Sequence, residues 1–132
     1  MRRFVDTNVF IYVLTKDPNF YEVSRRILRR IEDGEEAMTS TVVVDEVCLF
    51  LEMHNESQKI PMALSSIRSY VCMEVFSFGL EDMTKASELA KKYMMDWHDC
   101  LNVVLMEKHG TTEVYSNDKH FDKVKGIKRV FI

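Results

Sequence analysis

Along this chain, short apolar runs that suit strands alternate with longer segments of helical period, and that alternation restricts the fold more than any other feature. Phe4 and Val5 read as a strand, and Asp6-Thr7-Asn8 then supplies turn or capping residues before an apolar helix over residues 9–14. Pro18 breaks that helix. Residues 20–33 carry Val23, Ile27, Leu28 and Ile31 at helical spacing and close at Gly34. Residues 37–39 read as a second strand, and Ser40 or Thr41 as the cap of a helix running to about His54. Val42, Val43 and Val44 also suit a strand. Helix is preferred because Val42, Leu49, Phe50 and Met53 then share one face, which strand alternation would not give.

Pro61 suits the first turn of a further helix reaching Tyr70, and residues 73–78 read as a third strand ended by Gly79. Residues 80–93 and 96–109 are two more helices, the second closed by Gly110, and residues 113–115 and 128–131 complete the strands. Strands alternating with helices imply an α/β fold, a parallel sheet covered on both faces. Such sheets place their sites in loops at the carboxyl ends of strands. With no internal repeat, low-complexity tract or linker, residues 1–132 are expected to form a single domain.

A chain of 132 residues can bury a hydrophobic core without disulfides or a structural metal. A net charge of −3 excludes a globally basic coat, so binding to a polyanion needs local patches or bound cations. Two basic clusters exist: Arg25, Arg26, Arg29 and Arg30, and Lys119, Lys123, Lys125, Lys128 and Arg129. Each reads either as a solvated face or as a grip on phosphates. Cys48, Cys72 and Cys100 are odd in number and lack the spacing of a zinc site, which points to a reducing cytoplasm. The apolar stretch after Arg2 and Arg3 is broken at Asp6, too early for a signal peptide or membrane span.

Four acids are hard to assign to the surface alone. Projected at the helical period, Glu46 falls inside the apolar arc of Val42, Val43, Val47, Leu49, Phe50 and Met53, while Asp45 and Glu52 take the opposite edge. A buried carboxylate needs an ion-pair partner, a proton or a metal. Asp99 lies in the first turn of a helix for which Asp96 could be the cap, so it is either a favourable helix-end charge or a functional acid. Asp118 in Ser116-Asn117-Asp118 has a turn reading, and Asp6 a capping one. Taken together, Asp6 and Asp118 closely follow strands, and a doubly wound sheet can bring strand ends and helix starts into one crevice. Carboxylates about 4 Å apart repel by roughly 4 kcal/mol at an effective dielectric of 20, so such a cluster must protonate or bind cations. Oxygen ligands without a nearby histidine or cysteine set favour magnesium or manganese over zinc.

These residues resemble the PIN-domain nucleases, in particular the small VapC-type toxins and their archaeal relatives. Phe4-Val5-Asp6-Thr7-Asn8 is similar to the family's opening motif, and Glu46 sits in the expected helix after the second strand. Asp99-Cys100-Leu101-Asn102 stands where the family has an aspartate leading into an alanine-leucine helix, and Ser116-Asn117-Asp118-Lys119-His120-Phe121-Asp122 resembles the closing motif. Cys100 departs from the usual alanine, and Trp97 and His98 precede the third acid. The resemblance implies a doubly wound, three-layer α/β/α fold with about five parallel strands and an endoribonuclease dependent on Mg2+ or Mn2+. It also implies a homodimer and, for VapC-type members, a neutralising antitoxin protein.

On that reading Asp6, Asp99 and Asp118 hold one or two metal ions, Glu46 is a ligand or positions water, and RNA is the substrate. Thr7, Asn8 and Ser116 are expected to orient the carboxylates. Asp122 is a possible acid at the rim or a helix-start charge, while His98, His109 and His120 are expected in surface or packing roles. Arg25, Arg26, Arg29, Arg30 and Lys119 are the candidates for RNA contact. Two rivals remain: a non-catalytic PIN-fold scaffold that binds RNA or protein, and an aspartate-dependent phosphatase. Asp6-Thr7-Asn8 lacks the second aspartate, two residues on, that haloacid dehalogenase-like phosphatases use.

Overall fold

In the computed structural model, which describes residues 1–132, five strands form one parallel sheet in the order β3-β2-β1-β4-β5. These are β1 (Arg3–Val5), β2 (Ala37–Ser40), β3 (Met73–Phe76), β4 (Glu113–Tyr115) and β5 (Lys128–Val130). Phe4 is in register with Met38 on one side and Val114 on the other, so β1 is central, and Phe4 and Val5 are fully buried. The chain steps outward from β1 to β3, then returns across β1 to lay down β4 and β5. The reversal leaves a switch point beside β1 at the strands' carboxyl ends.

The helices are α1 (Thr7–Leu14), α2 (Tyr21–Glu32), α3 (Thr41–Met53), α4 (Ile60–Arg68), α5 (Leu80–Tyr93) and α6 (Trp97–Lys108). Right-handed crossovers put α1 to α4 on one face and α5 and α6 on the other. Helix packing follows that division: α1 lies on α2 and α3, α3 on α4, and α5 on α6. The result is the three-layer α/β/α arrangement. α6 is enclosed by sheet and α5, and every residue from Cys100 to Met106 is buried. No helix is long and apolar enough to cross a membrane.

Local chemistry explains the element ends. The Asp6 side chain accepts the Thr7 N–H, so α1 begins at Thr7, earlier than the apolar run alone indicates. Ser40 caps α3 by accepting the Val43 N–H at 3.1 Å. β3 ends at Phe76, short of the expected residue 78, and Gly79 instead starts α5, its N–H donating to Asp82 Oδ2 at 2.8 Å. Two short 3-10 turns, Ser57–Lys59 and Lys119–Lys123, have no periodic signature and are not legible in the sequence.

One expectation fails on α3. Its core face is Val42, Val43, Val47 and Leu51, whereas Leu49 and Met53 are exposed by 47% and 71%. Two apolar stripes run along this helix, and only one meets the core. Glu46 heads the exposed stripe and its side chain retains 30% exposure, so it stands at the core's flank and not within it.

Candidate active site

Asp6, Glu46, Asp99 and Asp118 line one cavity of about 220 Å3 at the switch point, together with Asp96, Thr7, Asn8 and Ile11. Five carboxylates and no lysine or arginine face this space. A larger hollow of about 320 Å3, lined by Arg2, Glu36 and Glu74 among others, has mixed charge, including an Arg2–Glu74 ion pair at 3.1 Å. Only the first hollow concentrates one sign of charge.

The carboxylate of Asp6 is the most constrained. Its Oδ1 accepts the Thr7 N–H at 2.8 Å, and its Oδ2 accepts Ser116 Oγ–H at 2.7 Å and Asn8 Nδ2–H at 3.3 Å. Burial pushes its pKa up to about 6, with the charges of Glu46 and Asp118 adding to the rise and the Ser116 and Thr7 hydrogen bonds opposing it. Ser116, fully buried at the end of β4, also accepts Asn8 Nδ2–H at 3.1 Å and the Asp118 N–H at 2.9 Å. One hydroxyl thus ties the loop after β4 to the carboxylate after β1.

Asp99 lies in the first turn of α6, and burial followed by the charges of Asp6, Asp118, Glu46 and Asp96 raises its pKa to about 8. No hydrogen bond offsets that rise. A pure helix-end charge would be stabilised in its ionised form. Asp99 goes the other way because it is largely buried and, beyond that, because its neighbours are acids.

Glu46 is held from two sides: Thr7 Oγ1–H donates to Oε1 at 2.8 Å, and His98 Nδ1 lies 3.4 Å from Oε2. Asp118 accepts the His120 N–H at 2.9 Å, and His120 Nδ1 lies 3.4 Å from the same oxygen, Oδ1. The expectation of no histidine near the acids is therefore corrected. Two imidazoles flank them, brought in by chain segments remote from one another. His109 does have a packing role, stacked on Phe76 at 3.8 Å.

Asp96 is a further member that sequence reasoning left as a cap. It occupies the cap position of α6, yet its side chain makes no capping hydrogen bond and faces the cavity. Donor atoms of Asp96, Asp99 and His120 all lie within 4.8 Å of one another, a spacing that one ion can bridge. The available signal was Asp96 at one helical turn before Asp99, on the same side of the helix start.

The remaining candidates fall elsewhere. Asp122 is paired with Arg129 at 3.0 Å in the first turn of the Lys119–Lys123 3-10 helix and does not line the cavity, so of its two readings the helix-start charge is the one that matches. Arg25 pairs with Glu32, Arg30 donates to the Ile132 carbonyl at 2.8 Å, and Arg26 and Arg29 are exposed on α2. None of the four lines the acid cavity. Lys119 is exposed beside Asp118.

Ser40 and Asn102 hold the two helices of the site together. Ser40 Oγ–H, at the start of α3, donates to Asn102 Oδ1 on α6 at 2.6 Å, and both residues are fully buried. The bridge fixes the helix of Glu46 against the helix of Asp99.

These features fit a divalent cation. Five carboxylates converge with no lysine or arginine lining the cavity, and the most perturbed of them has no hydrogen-bond donor. Fold and site together define a doubly wound α/β protein with an acidic centre at its switch point. The chain belongs to the PIN domain family, whose profile matches residues 3–127. It is 30% identical to Ribonuclease VapC1 of Aquifex aeolicus over 122 residues, 89% of this chain and 82% of that one. Its fold is similar to VapC20 of Mycobacterium tuberculosis, described as a sarcin-ricin loop cleaving toxin. The TM-score is 0.80 at 18% identity, covering 100% of this chain and 97% of that one. VapBC2 of Rickettsia felis, solved bound to a promoter DNA fragment, gives a TM-score of 0.76 at 15% identity, with 98% of both chains covered.

Proposed function

We propose that this chain is a metal-dependent endoribonuclease that hydrolyses RNA phosphodiester bonds, and that it is the toxin of a VapBC-type pair. The observation that carries this reading is the convergence of Asp6, Glu46, Asp96, Asp99 and Asp118 on one cavity without a cation of the protein's own. An acidic crevice repels a phosphate backbone unless its charge is neutralised, so a nuclease built this way requires a bound metal. Asp6, Asp99 and Asp118 are the residues to hold it. Oxygen donors favour Mg2+ or Mn2+, and the imidazoles of His98 and His120 at the edge tilt the set toward Mn2+. When bound, the ion supplies Lewis-acid polarisation of the phosphodiester and lowers the pKa of water.

The chain's own residues do the positioning. Ser116, Asn8 and the Thr7 amide fix the Asp6 carboxylate, leaving its orientation independent of substrate. Thr7 and His98 take one oxygen each of Glu46 and aim that carboxylate along the cavity wall, where it can orient water. Sequence similarity to a VapC ribonuclease and fold similarity to a VapBC protein support the toxin assignment and an antitoxin partner. A homodimer and a cytoplasmic location belong to the same reading.

Incubation with unstructured RNA tests it. Cleavage should be absent in EDTA, return with Mn2+ or Mg2+, and vanish in Asp6→Asn. Undiminished cleavage in chelator would rule the mechanism out, and hydrolysis of a simple phosphate monoester would favour an aspartate-dependent phosphatase. A folded protein that binds RNA and never cuts it would be a scaffold.

A further inference from the structure

Next to the acid cavity is a second hollow of about 220 Å3 that shares Thr7, Ile11 and Glu46 with it. Leu49, Phe50, Met53 and His98 line the remainder. Its floor is the exposed stripe of α3, where Glu46, Leu49, Phe50 and Met53 recur at i, i+3, i+4 and i+7, so carboxylate and apolar shelf are continuous. The Phe50 ring is held in place by His54, stacked at 3.9 Å with 24° between planes. His98 stands where the two hollows meet, half exposed and 3.4 Å from Glu46.

We propose that this shelf is a nucleobase subsite: the base next to a phosphodiester in the acid cavity rests on Leu49, Phe50 and Met53, flanked by His98. The inference rests on the ribonuclease reading and extends it to what the enzyme grips beside the phosphate. Two joined hollows select the occupant by their opposite chemistry. One binds a phosphate through a cation, whereas the other is apolar and carries an aromatic ring and an imidazole. A nucleotide has the same division between charged ester and planar π surface. No lysine or arginine lines the shelf, so it does not serve as a track for the phosphate backbone. Bases stack on aromatic and histidine side chains with little regard to sequence, and only unpaired bases can be splayed onto them. The shelf therefore directs the enzyme to single-stranded positions.

The test uses the whole chain with methyl-labelled Ile, Leu and Met, in Mg2+, titrated with adenosine 5′-monophosphate and separately with ribose 5-phosphate. Ring-current shifts of the Leu49 and Met53 methyls are expected with the nucleotide and not with the sugar phosphate. The double variant Leu49→Asn, Met53→Gln changes exposed residues only and should weaken nucleotide binding about tenfold without altering that of ribose 5-phosphate. Shelf methyls that stay still with the nucleotide overturn the proposal. So does a leucine- and phenylalanine-rich peptide that moves them when the nucleotide does not, since the shelf would then be a protein-docking surface. The RNA cleavage assay separates the two readings. Methyl shifts in a protein that never cuts sink the nuclease alone, and cutting without shifts sinks the subsite alone.

Discussion

Asp99 and Asp6 lie in the same cavity but are treated differently by the fold, and the contrast predicts what their variants do. Asp6 has three donors on its carboxylate and titrates at about 6; Asp99 has none and titrates at about 8. Because the charge of Asp6 is the leading electrostatic reason for the Asp99 rise, Asp6→Asn relieves strain between them. Without metal near neutral pH, that variant should melt a few degrees higher than the parent, while RNA cleavage falls by about 100-fold or more. Thermal melts and initial rates check both halves, and a lower melting temperature would contradict the electrostatic account. Ser116→Ala acts differently: it leaves every acid in place but removes the hydroxyl shared by Asp6, Asn8 and Asp118. Affinity for Mn2+ should drop about 10–100-fold by titration calorimetry, with the far-ultraviolet spectrum unchanged.

Among the elements, α3 and α6 matter most, since they carry Glu46 and Asp99 and meet through Ser40 and Asn102. Asn102→Ala breaks a fully buried hydrogen bond and should cost about 1–3 kcal/mol in urea unfolding. It should also lower metal affinity, because the two helices lose their fixed spacing. Ile67→Val on α4, also destabilising, should leave metal affinity alone. Equal loss in both variants would mean that Asn102 acts only through stability. The same pair of helices shows what sequence could and could not disclose. The period of α3 is plain, but its rotation is not, because Val43-Val47-Leu51 and Leu49-Phe50-Met53 are equally apolar stripes and only tertiary packing decides which is buried. Glu46 stood out for its apolar neighbours, several of which turn out to be a surface shelf. Asp96 was masked by its position at a helix start, where capping is the ordinary explanation. His98 reaches Glu46 through a contact between segments remote along the chain, which no local pattern encodes, whereas His120 stands only two residues after the Asp118 it faces.

At the scale of the molecule, strands and helices were legible because capping residues, Pro61 and the glycines after helices punctuate them. The order β3-β2-β1-β4-β5 was not, since it depends on which strands pair across the whole chain. That order sets β1 at the switch point and gathers the acids there, so stability and pH become linked. Unfolded aspartates lose their protons near about 3.9, whereas the folded chain keeps one on Asp6 to about 6 and one on Asp99 to about 8. Between these limits the native state binds more protons than the unfolded one, so its stability falls as pH rises. A divalent cation favours the ionised carboxylates and replaces those protons, and its stabilising effect must grow with pH. Scanning calorimetry in EDTA should show the melting temperature declining from about pH 5 to about pH 8. Saturating Mn2+ should flatten the decline, giving its largest increment at the upper end. Asp99→Asn removes the group with the larger shift and should abolish most of the slope, leaving the part below about pH 6 that Asp6 contributes; an undiminished slope up to about pH 8 in that variant would place the linked protons somewhere other than this cavity.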